Sequence, residues 1–177
     1  MRYLSATTAL LFTLLLCTCG RAQEVPENLL TGYAPLDEKL ARTVTVDEYA
    51  ISAEAAAALS NAKFLDAREH EEFTVSHLPA ATWLGYDDVD LSRIADTEKD
   101  QPLVVYCTIG YRSERVATKL REAGYTNVYN LYGSLYAWKL AGFALEDARG
   151  QPTEKLHTYN RKWSTFAPDS IGEKVWK

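Results

Sequence analysis

The sequence predicts an α/β protein built on an open parallel sheet with helices on both faces. The run Leu103-Val104-Val105-Tyr106 is apolar throughout and rich in β-branched residues, as expected of a strand buried on both sides. Behind it Val116, Leu120 and Ala123 recur at helical spacing, leaving Arg115, Lys119 and Glu122 to solvent, and Val128 to Leu131 then reads as the next strand. A strand, a helix and a strand so close together require a right-handed crossover, which makes the two strands parallel.

The remaining elements follow in chain order. Arg2 and an apolar run from Leu4 to Leu16 end in Cys17-Thr18-Cys19-Gly20-Arg21-Ala22. About 13 apolar residues are too few for a bilayer span, which needs roughly 20, and the pattern is that of a signal peptide over residues 1–22, cut after Ala22. The expected location is therefore exported, periplasmic or extracellular. Lipidation at Cys19 is the alternative, and membrane attachment is expected only in that case. Residues 23–45 contain Pro26, Gly32 and Pro35 among mixed charges and read as an N-terminal linker or loosely packed arm.

The working domain is expected over residues 46–147. Ser52 is a candidate N-cap for the alanine-rich helix Ala53 to Leu59. Phe64-Leu65-Asp66-Ala67 fits a buried strand end, Glu69 to Phe73 a helical turn, Ala81 to Tyr86 a second strand and Leu91 to Ala95 a short helix. Ser113 is a candidate cap for the helix after Tyr106, with Gly124 as its stop. Ser134 to Ala141 reads as a last helix ending at Gly142. Residues 148–177 form a C-terminal extension whose His157, Tyr159, Trp163, Phe166 and Trp176 are expected to pack as a cap.

Composition narrows the function. With 177 residues, 47% of them hydrophobic, the chain can bury a core of ordinary size, which excludes disordered and disulfide-scaffold classes. The formal charge of −5 falls to −7 once Arg2 and Arg21 leave with the leader, and no basic cluster remains. Nucleic acid is not an expected partner. No spacing among His70, His77, His157 and the cysteines suggests a metal site, and no cofactor is expected. The three cysteines are Cys17, Cys19 and Cys107, so cleavage after Ala22 leaves one thiol without an internal partner.

That thiol stands where chemistry is expected. Cys107 directly follows the apolar strand, and Cys107-Thr108-Ile109-Gly110-Tyr111-Arg112-Ser113 leads into a helix. Ligands of open parallel sheets bind beyond the carboxyl ends of the strands. A helix start offers free N–H groups and partial positive charge, which favour a thiolate and lower its pKa. Gly110 lets the loop curl its amides toward sulfur, and Arg112 adds a cation at the rim. A free cysteine is often only a small buried hydrophobe. The glycine, the arginine and the helix start in the same loop favour a nucleophile acting on a small anionic group.

These residues resemble the rhodanese family of sulfurtransferases. Asp66-Ala67-Arg68, Glu72-Phe73 and His77-Leu78-Pro79-Ala80-Ala81 are similar to its first signature, Cys107 to Ser113 to its active-site loop Cys-x-x-Gly-x-Arg-Ser, and Tyr132-Gly133, Trp138 and Gly142 to its closing signature. Ser76, Ala80, Ser134 and Ala144 depart from the usual glycines and proline. The resemblance implies a rhodanese-like fold and a Cys107 persulfide. A donor such as thiosulfate would load it, and cyanide or a thiol, including a protein thiol, would unload it. It further implies that Thr108, Ile109, Gly110, Tyr111 and Ser113 stabilise the bound sulfur, that Arg112 steers the donor, and that Asp66 and Arg68 brace the loop. His77 is expected to be a structural turn residue and Trp138 core packing.

Two other classes share these residue types. A cysteine-loop phosphatase or arsenate reductase resembles Cys-x5-Arg, whereas four residues separate Cys107 from Arg112 here. A non-enzymatic relay or binding module would use the same loop without small-molecule turnover. For the leader, the expected outcome is an exported chain whose N-terminal peptide, read by mass spectrometry, begins at Gln23. A lipid-modified Cys19 at that end would replace ordinary cleavage by lipoprotein processing.

Overall fold

The computed structural model describes residues 23–176 of the chain. The expected leader, with Cys17, Cys19 and the junction after Ala22, lies outside the described residues. Among them, no helix is long and apolar enough to cross a membrane.

Strands β1 (Ala50–Ile51), β2 (Lys63–Asp66), β3 (Thr82–Trp83), β4 (Leu103–Tyr106) and β5 (Val128–Leu131) form one sheet in the order β1-β5-β4-β2-β3. Every pairing is parallel, with Leu65 opposite Val105 and Val105 opposite Asn130. β4 therefore lies in the middle, and all four of its residues are buried. Alternation along the strands feeds two cores. Leu65, Leu103, Val105 and Val128 face one, where they meet Val116, Ala117 and Leu120 of helix α4 (Tyr111–Glu122). Val104, Tyr106 and Leu131 face the other, which holds α1 (Ala34–Leu40), α2 (Ala53–Ala58) and α5 (Ser134–Leu140). The expected open parallel sheet with helices on both faces is the architecture observed.

Local chemistry explains most boundaries. The Ser52 hydroxyl caps α2 by accepting the Ala55 N–H at 3.2 Å. Helix α3 (His70–Val75) starts at a capping box, with the Glu72 side chain accepting the Glu69 N–H. The strand expected over Ala81 to Tyr86 is only Thr82–Trp83, because Leu84 and Gly85 both turn their N–H groups onto the Asp66 carbonyl. Helix α4 begins before Ser113, at Tyr111, with Gly110 as its N-cap in a left-handed conformation. Ser113 consequently does not cap it, and its hydroxyl donates to Asn130 Oδ1 at 2.7 Å instead.

The expectation of a loose arm over residues 23–45 is corrected. Leu36 and Leu40 of α1 are fully buried, and Leu29 and Val44 join the same core. Burying one leucine side chain is worth about 1.5–3 kcal/mol, so four such contacts hold the segment down. The extension is also packed. It forms β7 (Pro152–Thr153) against β6 (Leu145–Glu146), then β8 (Lys155–His157) parallel to β9 (Glu173–Val175), with α6 (Arg161–Ser164) between those two. Leu156, Ala167 and Ile171 enter the core beside α5.

Two of the positions where glycine is usual hold side chains at positive φ, Ala80 at 56° and Ser134 at 47°. Ser134 has a compensating role, since its hydroxyl accepts the Cys107 N–H at 3.0 Å. Ala80 is exposed and its methyl has no such role. Left-handed backbone disfavours any Cβ, so Ala80→Gly is expected to stabilise the protein by about 0.5–1 kcal/mol, net of the entropy glycine adds to the unfolded chain. Urea unfolding checks this, with an unchanged or lower midpoint as the contrary result.

Candidate active site

β2 continues toward β3 on one side of the sheet and β4 toward β5 on the other. The crevice between the carboxyl ends of β2 and β4 is thus the point where the winding reverses, the usual ligand position in such sheets. Cys107 follows β4 there and is 2% exposed. Its sulfur accepts the Gly110 N–H at 3.2 Å and lies 3.7 Å from the Ser113 hydroxyl. Gly110 makes this approach with φ of 116°, and a Cβ there would lie 3.1 Å from Val44. Asn130 on β5 fixes both ends of the loop, donating to the Gly110 carbonyl at 3.2 Å and accepting from Ser113.

Burial opposes a charged sulfur at this place. The Arg112 cation, the Ser113 and Gly110 N–H groups and the Ser113 hydroxyl outweigh that penalty and hold the Cys107 thiol below its ordinary value. Of the amides expected to ring the sulfur, that of Gly110 bonds to it, and that of Ser113 favours its anion. Thr108 instead aims its hydroxyl at Glu72 and Arg112, at 3.4 and 3.1 Å, while Ile109 is buried and Tyr111 exposed on the rim.

Arg112 is not the free cation at the rim that the sequence suggests. Its guanidinium grips Glu72 in a two-point pair, Nη1 to Oε2 at 2.6 Å and Nη2 to Oε1 at 2.8 Å. Glu72 comes from α3, and its side chain is only 3% exposed. Burial would push this carboxyl up, but the nearby His157 ring, the two-point Arg112 bond and the charges of Arg112 and Arg68 bring it well below the usual carboxylate range. His157 Nδ1 lies 3.6 Å from Glu72 Oε1 and 3.2 Å from the Tyr159 N–H. One ring nitrogen can serve only one of these at a time, as acceptor to the amide or, when protonated, as donor to the carboxylate.

Asp66 and Arg68 form a fully buried pair at 2.6 Å. Their bonds do not reach the cysteine loop. Arg68 Nη2 donates to the Ser76 carbonyl at 2.6 Å, so the pair anchors the Ser76–Leu78 turn, and Leu78 N–H in turn meets the Tyr106 hydroxyl at 3.1 Å. Bracing of the loop is therefore indirect, through Tyr106. His77 stacks on Phe73 and bridges to Glu146, and Trp138 donates to the Ala144 carbonyl inside the core, both structural positions.

A cavity of about 260 Å³ opens over Cys107, lined by Tyr86, Ile109, Tyr111, Arg112, Tyr159 and Trp163 among others. Glu72, Asn130, His157, Tyr159 and Trp163 were not legible as site residues. Asn130 does carry a signal, being a polar residue within a strand of mostly buried neighbours. Among the described residues no three metal-ligating side chains gather. Chemically, the arrangement offers a shielded thiol of lowered pKa with a neutralised cation behind it and aromatic walls in front. Replacing the cation in Arg112→Gln should move the midpoint of Cys107 alkylation against pH upward by about one pH unit, since the reactive thiolate loses its main charge support. An unmoved midpoint would remove Arg112 from that role.

The chain matches the family model described as rhodanese-like domain over residues 51–141. It is 36% identical over 91 residues to the thiosulfate sulfurtransferase GlpE of Actinobacillus succinogenes, covering 51% of this chain and 80% of that one. It is also 36% identical over 93 residues to the mitochondrial protein HIGH ARSENIC CONTENT 1 of Arabidopsis thaliana, covering 46% of this chain and 55% of that protein. Among solved structures, the rhodanese-like domain of the Anabaena sp. Alr3790 protein superposes with a TM-score of 0.51 at 24% identity, over 57% of this chain and 80% of that one. That last likeness is one of fold. The matched span runs from the end of β1 through β5, the cysteine loop and α5, and on this match the chain belongs to the rhodanese-like domain family.

Proposed function

We propose that the protein is a sulfurtransferase that carries a sulfane sulfur as a persulfide on Cys107, in the export compartment implied by its leader. The observation that carries this reading is the buried Cys107 sulfur held by the Gly110 N–H, with Arg112 favouring its anion, at the mouth of a cavity. Membership of the family and the similarity to a named thiosulfate sulfurtransferase support it.

In the first half-reaction the Cys107 thiolate attacks the outer sulfur of thiosulfate. A Cys107 S–S bond forms, the donor S–S bond breaks, and sulfite departs with the electron pair. The negative charge then resides on the outer sulfur of the persulfide. In the second half-reaction a thiolate or cyanide attacks that sulfur, giving an acceptor persulfide or thiocyanate and returning the Cys107 thiolate. Arg112 serves mainly through its field, because three of its five N–H groups are engaged by Glu72 and Thr108. Two half-reactions with a covalent intermediate imply ping-pong kinetics.

Thiosulfate treatment of the intact chain should add one sulfur atom to the peptide containing Cys107, removable by cyanide. In Cys107→Ser the adduct should vanish and thiosulfate:cyanide turnover should fall at least about a thousandfold, the loss typical of deleting a nucleophile. An intact protein that takes up no sulfur, measured by mass spectrometry, would overturn the proposal. Uptake without turnover would favour a relay that hands its sulfur to a protein thiol.

A further inference from the structure

The cavity over Cys107 is only partly made by the region that matches the family. Tyr86, Ile109 and Tyr111 lie inside the matched span, whereas Tyr159 and Trp163 come from the extension beyond it. Arg112 is the one charged residue among those lining the cavity, and Glu72 neutralises it from behind. The remaining surface is dominated by aromatic rings. A small, doubly charged inorganic donor would leave most of about 260 Å³ unfilled and find little uncompensated charge. An apolar ring matches both the volume and the walls, since cavities for organic ligands are mainly apolar with few polar groups.

Tyr159 carries a second and independent sign. Its φ is 64°, a strained conformation for a bulky residue. The residue is 51% exposed, so its own burial does not offset that strain. The conformation is fixed by the Tyr159 N–H to His157 Nδ1 at 3.2 Å and the Asn160 N–H to the Thr158 carbonyl at 2.7 Å. Its effect is to bring the ring 5.0 Å from the Arg112 guanidinium carbon, at the cavity edge. Strain held in place beside a reactive group is characteristic of functional positions.

We propose that the extension makes this site selective for organic sulfane-sulfur donors with an apolar, ring-sized body, and that Tyr159 and Trp163 are the specificity-determining walls. The proposal rests on the persulfide reading of Cys107. With a thiosulfonate R–SO2–S⁻ as donor, the Cys107 thiolate attacks the terminal sulfur and forms the new S–S bond. The bond between that sulfur and the sulfonyl group breaks, and the sulfinate R–SO2⁻ leaves with the electron pair. No proton, oxidant or reductant is needed.

Benzenethiosulfonate and methanethiosulfonate present the same reacting group on different bodies. Persulfide formation on the full chain is measured for each in single turnover and divided by the rate of the same donor with free cysteine, which removes the difference in leaving group. The expected phenyl-to-methyl ratio is at least tenfold, falling toward one in Tyr159→Ala and retained in Tyr159→Phe. A ratio near one in the native protein, or a large ratio that survives Tyr159→Ala, overturns the proposal while leaving the persulfide standing. If neither these donors nor thiosulfate load Cys107, the persulfide reading falls and the selectivity with it.

Discussion

A carboxylate that is 3% exposed can remain charged only if its partners replace the water it lost, and Glu72 depends on Arg112 for that replacement. The pair ties together parts of the chain that are far apart in sequence. Glu72 belongs to the helix after β2, Arg112 to the helix after β4, and His157 to the extension. Removing one member of a buried pair typically costs about 3–5 kcal/mol, so neither of the two helices that hold Glu72 and Arg112 can move away cheaply. The same pair sets the electrostatics of the thiol. Arg112 lowers the energy of the Cys107 anion, yet it is not a free anion trap, because Glu72 takes an N–H from each of its outer nitrogens and compensates its charge.

Cys107 sits where strand, loop and helix meet, and each contributes something different. β4 is buried on both faces and fixes the position of the sulfur. The loop turns at Gly110, where a side chain would press on Val44, and this brings an N–H onto the sulfur. Ser134 supplies the bond to the Cys107 N–H from the start of α5, at the cost of a left-handed backbone. The Ser113 hydroxyl, expected as a helix cap, donates to Asn130 of β5 and stands 3.7 Å from the sulfur. Rigid supports on three sides leave the cavity as the open direction.

The parts legible in the sequence were those encoded by neighbours in the chain. The apolar run before Cys107, the helical spacing of Val116 and Leu120, and the Cys107–Arg112 loop all lie within one continuous stretch. Glu72 was visible only as part of a signature, because its partnership with Arg112 exists only after β2 and β4 pair. Leu36, Leu40 and Val44 do form an apolar stripe at helical spacing, but Pro35 and Gly32 made the segment read as a break. Pro35 in fact occupies the first turn of α1, where a missing N–H costs nothing. The extension escaped because two- and three-residue strands and a four-residue helix are too short to show a period. Its aromatic residues were recognised as a cap, and what they cap includes the reactive centre.

Cys107 is the sole cysteine among the described residues, and that solitude has an oxidative consequence. A thiolate is the form most open to oxidation, and its sulfenic acid is normally rescued by a second thiol that condenses with it. No such resolving thiol stands within the described fold. Recovery from oxidative damage would therefore depend on a thiol from beyond the described residues. The aromatic enclosure and the 2% exposure of Cys107 thus bear on endurance, since whatever cannot enter the cavity cannot oxidise the sulfur.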